Sequence, residues 1–220
     1  MAALKFKVIV TDPPIILERR IRTVIADKIN KSAKDTILSI RPQLGPLLYN
    51  SIMNSPEAKS LFGGILQAEL GPKDTDVNAV LNFVVQRLVD TISIDFKPFS
   101  PFGGIMRGHI ELSLYPKTLT NDILAFSASS YLTGKGVKIP WMEWLLTLGD
   151  RVIVRRYTVD YLHTRNSRTG LATMAPDKTK GWRVPPAFSG TTTNNFISRA
   201  LDDLSIILNV VFEKEFLKHI

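Results

Sequence analysis

Apolar residues at Ile21, Ile25, Ile29, Ala33 and Ile37 recur at every fourth position with Val24 beside them, while Arg19, Arg20, Arg22, Lys28, Lys31 and Lys34 fall between. That period draws one apolar stripe along an α-helix with a basic outer surface. Pro42 is expected to interrupt it, because proline has no amide hydrogen to give. A shorter helix carrying Leu44, Leu47, Leu48, Ile52 and Met53 is then expected up to Asn54-Ser55-Pro56. Ahead of both, Phe6 to Val10 reads as a short opening strand that stops at Asp12-Pro13-Pro14.

Ile65 to Leu70 lies between Phe62-Gly63-Gly64 and the turn Gly71-Pro72-Lys73-Asp74, and predicts a strand. Asp76 to Ile92 predicts a helix, with Val77, Val80, Leu81, Val84, Val85, Leu88 and Val89 near a 3.6-residue period. Ile94 to Phe99 and Ile105 to Tyr115 alternate as strands, joined in hairpin fashion by the breaker-rich stretch from Pro98 to Gly104. Asn121 to Phe126 predicts a short helix, and Tyr131 to Lys138 a glycine-containing link.

Pro140 opens a helix from Trp141 that Gly149 ends, and Arg151 to Leu162 returns to strand chemistry. Phe196, Ile197, Ala200, Leu201, Leu204, Ile207, Leu208, Val211 and Phe212 mark a final amphipathic helix, with Thr193 or Asn194 as its N-cap. There is no internal repeat. The pattern predicts a single α+β domain over residues 1–220, a mainly antiparallel sheet packed against N-terminal, central and C-terminal helices, with an extended basic arm or loop from 163 to 192.

Composition sharpens this in two places. Lys and Arg number 28 against 20 Asp and Glu, a formal net charge of +8. Eight of the basic residues and only two acidic ones fall between Arg151 and Arg183, so a net +6 is concentrated there. Such a segment attracts phosphates, acidic protein faces or anionic lipid, or is simply a solvated face. The chain has no cysteine, which excludes disulfides, thiolate metal sites and a cysteine nucleophile. No apolar run approaches the ~20 residues of a membrane span, so a soluble protein without a membrane partner is expected.

Catalytic patterns are not found. His109, His163 and His219 are not spaced with one another or with carboxylates as a metal-ligand pair. Gly134-Lys135-Gly136 lacks the rest of a phosphate loop, Gly103 to Gly108 does not match the dinucleotide fingerprint, and no Gly-x-Ser-x-Gly elbow occurs. Asp202-Asp203 fits the positive end of the final helix. A non-enzymatic protein with no metal and no cofactor is expected. Arg155, Arg156, Arg165, Arg168, Lys178, Lys180 and Arg183 are instead candidates for facing phosphates or a neighbouring subunit, with Trp182 as an anchor. No recognition helix or aromatic RNA-binding signature accompanies them, so base-specific readout is not indicated.

Trp141, Glu143, Trp144 and Gly149, followed by Pro185-Pro186-Ala187-Phe188-Ser189-Gly190-Thr191 and by Asn195-Phe196-Ile197-Ser198-Arg199-Ala200-Leu201, resemble the ending of tail-completion and neck (head–tail connector) proteins of tailed bacteriophages. The likeness covers the last third of the chain. Earlier it extends to element order and to the basic N-terminal helix, and the Arg165-to-Lys180 arm departs from the family pattern. The resemblance implies a structural subunit of the virion, made in the host cytoplasm and acting as a tail-completion, tail-terminator or neck subunit. It further implies a homo-oligomeric ring, six copies expected, against neck, portal-adaptor or tail-tube proteins, with non-specific contact to passing DNA. The alternative is a non-specific nucleic-acid-binding accessory protein that uses residues 151–183.

Overall fold

The computed structural model describes residues 12–102, 105–114, 118–149 and 151–220; the strand expected at Phe6 to Val10 lies outside them. Helix α1 (Pro14–Asn54) is one continuous element of 41 residues, so the break expected at Pro42 does not occur. Both Pro42 and Pro46 sit on its exposed side, where the carbonyls that lose their donors face solvent. On the opposite side Ile40, Leu44, Leu48 and Ile52 are buried at every fourth position and hold the helix to the core through the prolines.

Ser55 closes α1 and caps α2 (Pro56–Leu61) through its hydroxyl, which accepts from the Ala58 amide. Residues Ile65–Leu70 form helix α3, not the expected strand. Six residues are too few to separate the two periods in sequence, and neighbouring polar groups decide the matter. The Leu66 amide donates to Ser60 Oγ, the Gly63 amide donates to the Gln67 side chain, and Gly71 ends the turn at φ 74°, a left-handed conformation open to glycine. Helix α4 (Asp74–Asp90) follows as expected and buries Val77, Val80, Leu81, Val84 and Leu88.

Strands β1 (Ser93–Phe102) and β2 (Ile105–Ser113) pair antiparallel from Ser93↔Ser113 to Phe102↔Ile105, with an irregularity between Lys97 and Ser100. Helix α5 (Leu119–Ala125), a small hairpin of β3 (Tyr131–Leu132) and β4 (Lys138–Ile139), and helix α6 (Trp141–Thr147) come next. Strand β5 (Val154–Asp160) then pairs antiparallel with β6 (Thr173–Trp182). The segment read as an arm or loop therefore contains a ten-residue strand. Helix α7 (Phe196–His219) closes the chain, capped by Asn195, whose side chain accepts from the Ile197 and Ser198 amides, one residue beyond the expected cap.

The fold is α+β, and among the described residues its strand pairing is antiparallel, divided among three two-stranded sheets. Its core lies where the C-terminal half of α1 meets α2 to α6 and the first turns of α7, around Leu48, Ile52, Leu81, Leu88, Trp141, Leu145 and Phe196. Helix α7 runs back along α1. Ser51 Oγ donates to the Ala200 carbonyl at 2.6 Å, Ser39 Oγ to Glu215 at 3.1 Å and Ser32 Oγ to the His219 carbonyl at 2.7 Å. The β1–β2 hairpin lies along the same helix, with the Asn30 side chain exchanging two hydrogen bonds with the Phe99 backbone.

Candidate interaction surface

The hairpin of β5 and β6 gathers most of the predicted basic residues, and it does so through an irregularity in its ladder. Arg155 pairs with Gly181 and Tyr157 with Pro176, so residues 177–180 stand opposite the single residue Arg156. The extra residues turn on Asp177, whose carboxylate accepts from the Thr179 amide at 2.9 Å and the Thr179 hydroxyl at 2.7 Å. These bonds hold the Asp177 carboxyl below its ordinary value. Across from them Arg156 adopts φ 62°, the one positive φ outside glycine among the described residues, and such a backbone is tolerated only where the surroundings fix it. Arg155, Arg156, Lys178 and Lys180 thus project from one bulge, all four exposed. Lys180 lies 3.9 Å from Asp177, while Arg155, Arg156, Lys178, Arg165 and Arg183 have no ion-pair partner among the described residues.

Two of the predicted residues are committed elsewhere. Arg168 donates to Asp76 Oδ2 at 2.8 Å at the start of α4, and its guanidinium sits 4.1 Å from the centre of the Tyr131 ring. It fastens the hairpin's connecting loop to the body. Trp182 is buried, with its indole N–H donating to Glu69 Oε2 at 2.8 Å and its ring tilted against Trp144 at 5.5 Å. It anchors the hairpin within its own chain.

Glu69 is the joint that the sequence does not advertise. Its other oxygen accepts from the Tyr161 hydroxyl at 2.5 Å, so one carboxylate ties both ends of the hairpin to α3. Desolvation, with the hydrogen bond and charge of Glu69, pushes the Tyr161 phenol up to about 12. Asp160 starts the connecting loop by accepting from the Leu162 and His163 amides and contacting His163 Nδ1 at 2.7 Å, and the Leu162 bond leads in lowering its carboxyl. A carboxylate 92 and 113 positions upstream of its partners leaves no signal in local spacing.

The residues of the C-terminal motif converge. Trp141 is fully buried and donates to the Ala128 carbonyl at 2.9 Å, whereas Glu143 on the same helix is exposed. Gly149 turns at φ 53°, and its amide donates to the Gly190 carbonyl at 2.6 Å. A side chain at Gly190 would meet the Leu145 carbonyl at 2.7 Å and Asn195 Cβ at 2.9 Å, so α6 and the start of α7 close directly on its backbone. Pro185 and Pro186 open the turn before this contact. Phe196 fills the core behind it, and Arg199 reaches back to the buried Glu57 at 2.5 Å and to Asn194 at 3.0 Å. Arg199 is therefore spent inside the chain. The motif is a clamp that fixes where α7 begins.

The exposed apolar residues are the feature that sequence reading placed wrongly. Ile21, Val24 and Ile25, expected on the buried stripe of the first helix, are exposed together with Ile15, Ile16 and Leu17. On α7, Ile206, Ile207, Val210 and Leu217 are exposed as well. An apolar cleft of about 330 Å³ lies between α1, the β1–β2 hairpin and α7, lined by Ile37, Ile94, Ile110, Leu112, Leu208 and Phe212.

Among the described residues no group of three or more His, Asp and Glu could hold a metal ion, and no helix is long and apolar enough to cross a membrane. No family model, no curated protein and no solved structure matches the chain.

Proposed function

We propose that this chain is a structural, self-assembling subunit of the head–tail junction of a tailed bacteriophage, a tail-completion, tail-terminator or neck component that forms a ring with copies of itself. The observation that carries the assembly reading is the run of large exposed apolar residues on both long helices, Leu17, Ile21, Val24 and Ile25 on α1 and Ile206, Val210 and Leu217 on α7. Contiguous exposed apolar surface marks sites of interaction with another protein. The three sheets support it too, because among the described residues each strand pairs along one edge alone. Placement in the virion rests on the likeness of the Trp141-to-Gly149 and Pro185-to-Leu201 segments to the phage proteins.

In this reading the bulge of the β5–β6 hairpin faces either the DNA path or an acidic neighbour. Arg155, Arg156 and Lys178 would supply attraction without base contacts, a contact that DNA can slide past. The purified chain is expected to form closed rings of one symmetry in electron micrographs, and antibodies against it are expected to label the junction of the particles that encode it. A chain that stays monomeric at high concentration and is missing from the particles would end the proposal. Replacing Arg155, Arg156 and Lys178 together by alanine separates the two roles of the hairpin. Loss of salt-sensitive DNA binding with rings intact assigns it to DNA, and loss of rings assigns it to the neighbour.

A further inference from the structure

Among the described residues, helix α1 outruns the body that packs on it. The last residue of α7 reaches only Ser32, the β1–β2 hairpin is fixed at Asn30 through Phe99, and Ala26 is the first buried residue of α1. From Pro14 to Ala26 the helix therefore projects about 18 Å at 1.5 Å per residue. Leu17, Ile21, Val24 and Lys28 share one face at helical spacing, opposite the face on which Ala26 and Ala33 are buried. Val24 is 67% exposed. An isolated helix of this length is marginal in water, so an apolar stripe on a projection needs something to cover it.

A surface of matching kind lies on α7. Asp203, Ile206, Val210, Glu213 and Leu217 fall on one face, turned away from the buried Ala200 and Leu204, and all five are exposed. The two segments that carry these faces differ in charge. Pro14 to Lys28 holds four basic and two acidic residues, net +2, whereas Asp202 to Lys218 holds four acidic and two basic ones, net −2, in a chain whose overall charge is +8. Lys28 on the first face and Asp203 and Glu213 on the second have no ion-pair partner among the described residues. Opposite flanking charges around apolar rows set both attraction and register.

We infer that the projecting N-terminal turns of α1 dock on the outer face of α7 of a second copy of this chain, head to tail. Because the two faces are different patches, each copy offers one of each, and the contact repeats until it closes. The inference rests on the self-assembly proposed above and names the surfaces that would perform it.

The test uses the full chain in two surface variants, Ile21→Ser with Val24→Ser and Ile206→Ser with Val210→Ser, followed by sedimentation over a range of concentrations. Circular dichroism and melting temperature should match the original chain, because all four positions are exposed. Each variant alone is expected to be monomeric where the original assembles, with its dissociation constant raised at least tenfold. Mixed, the two are expected to form dimers and go no further, since the mixture restores one good contact per pair. In the original chain, hydrogen exchange over residues 16–25 and 202–217 should slow on assembly. If the original assembles and both variants assemble equally well, or if the mixture stays monomeric, the docking is wrong and the assembly proposal stands. If the original never assembles, both fail.

Discussion

The two halves of α1 carry the same sequence signal and meet opposite fates. Ile21, Ile25 and Ile29 are spaced by four residues, as are Ile40, Leu44, Leu48 and Ile52, yet Ile21 and Ile25 are half exposed while Leu48 and Ile52 are fully buried. The later half is pressed between α4, α7 and the β1–β2 hairpin; of the earlier half, the turns before Ala26 lie beyond the contacts that Asn30 and Ser32 make with the hairpin and α7. An apolar stripe thus reports that a helix wants a partner. It does not report whether that partner belongs to the same chain.

The largest expected contrast is between Leu48→Ala and Val24→Ala, measured by urea unfolding where the chain is monomeric. Removing the Leu48 side chain leaves a cavity in the core and should cost about 2–5 kcal/mol. Removing that of Val24 should change stability by less than about 0.5 kcal/mol. Equal losses would mean that the projecting half is packed in the free chain and would erase the distinction.

The clamp between α6 and α7 sharpens the comparison from the packed side. Gly190→Ala drives a methyl group into the Leu145 carbonyl and Asn195, and is expected to cost about 1–3 kcal/mol. Hydrogen exchange should show the loss at α7 and at residues 40–52 of α1, with residues 16–25 unchanged. Asn195→Ala removes the cap that holds the Ile197 and Ser198 amides and should cost about 1 kcal/mol in the same region. Faster exchange at the projecting turns in either variant would show that the two halves of α1 are coupled.

The smallest effect lies in the β5–β6 hairpin, where the Tyr161 hydroxyl donates to Glu69. The Tyr161 phenol is raised from its ordinary value near 10 to about 12. A folded-state value above the unfolded one means that this stabilising contribution is complete below about pH 10 and is lost as pH rises through about 12. Ultraviolet titration should show a late phenol among the chain's five tyrosines, and Tyr161→Phe should remove it. A titration unchanged by that substitution would show that the hydroxyl is not held by Glu69.

Much of the fold was legible in the residues. Helix α4, the β1–β2 hairpin, α6 with its terminal glycine and α7 all carry long or well-punctuated patterns, and each is found close to its expected bounds. Pro42 misled because proline weakens a helix locally while the burial of Ile40, Leu44 and Leu48 is a distant matter. The six residues of α3 misled because they are too few to show a period. At the interaction surface, the cluster of basic residues was readable from composition, but the separation of Arg168 and Trp182 from the exposed ones was not. Asp76, Tyr131 and Glu69, which engage them, lie between 37 and 113 positions away, as the partners' numbers give.

By itself the sequence determined the α+β class, most of the elements and the excess of positive charge between Arg151 and Arg183, since these follow from local spacing and composition. Only the tertiary structure decided which apolar stripes are covered, which arginines are already paired, and that one carboxylate at Glu69 holds a hairpin from both ends. Burial and pairing depend on residues far apart in the chain, and no local period carries that information.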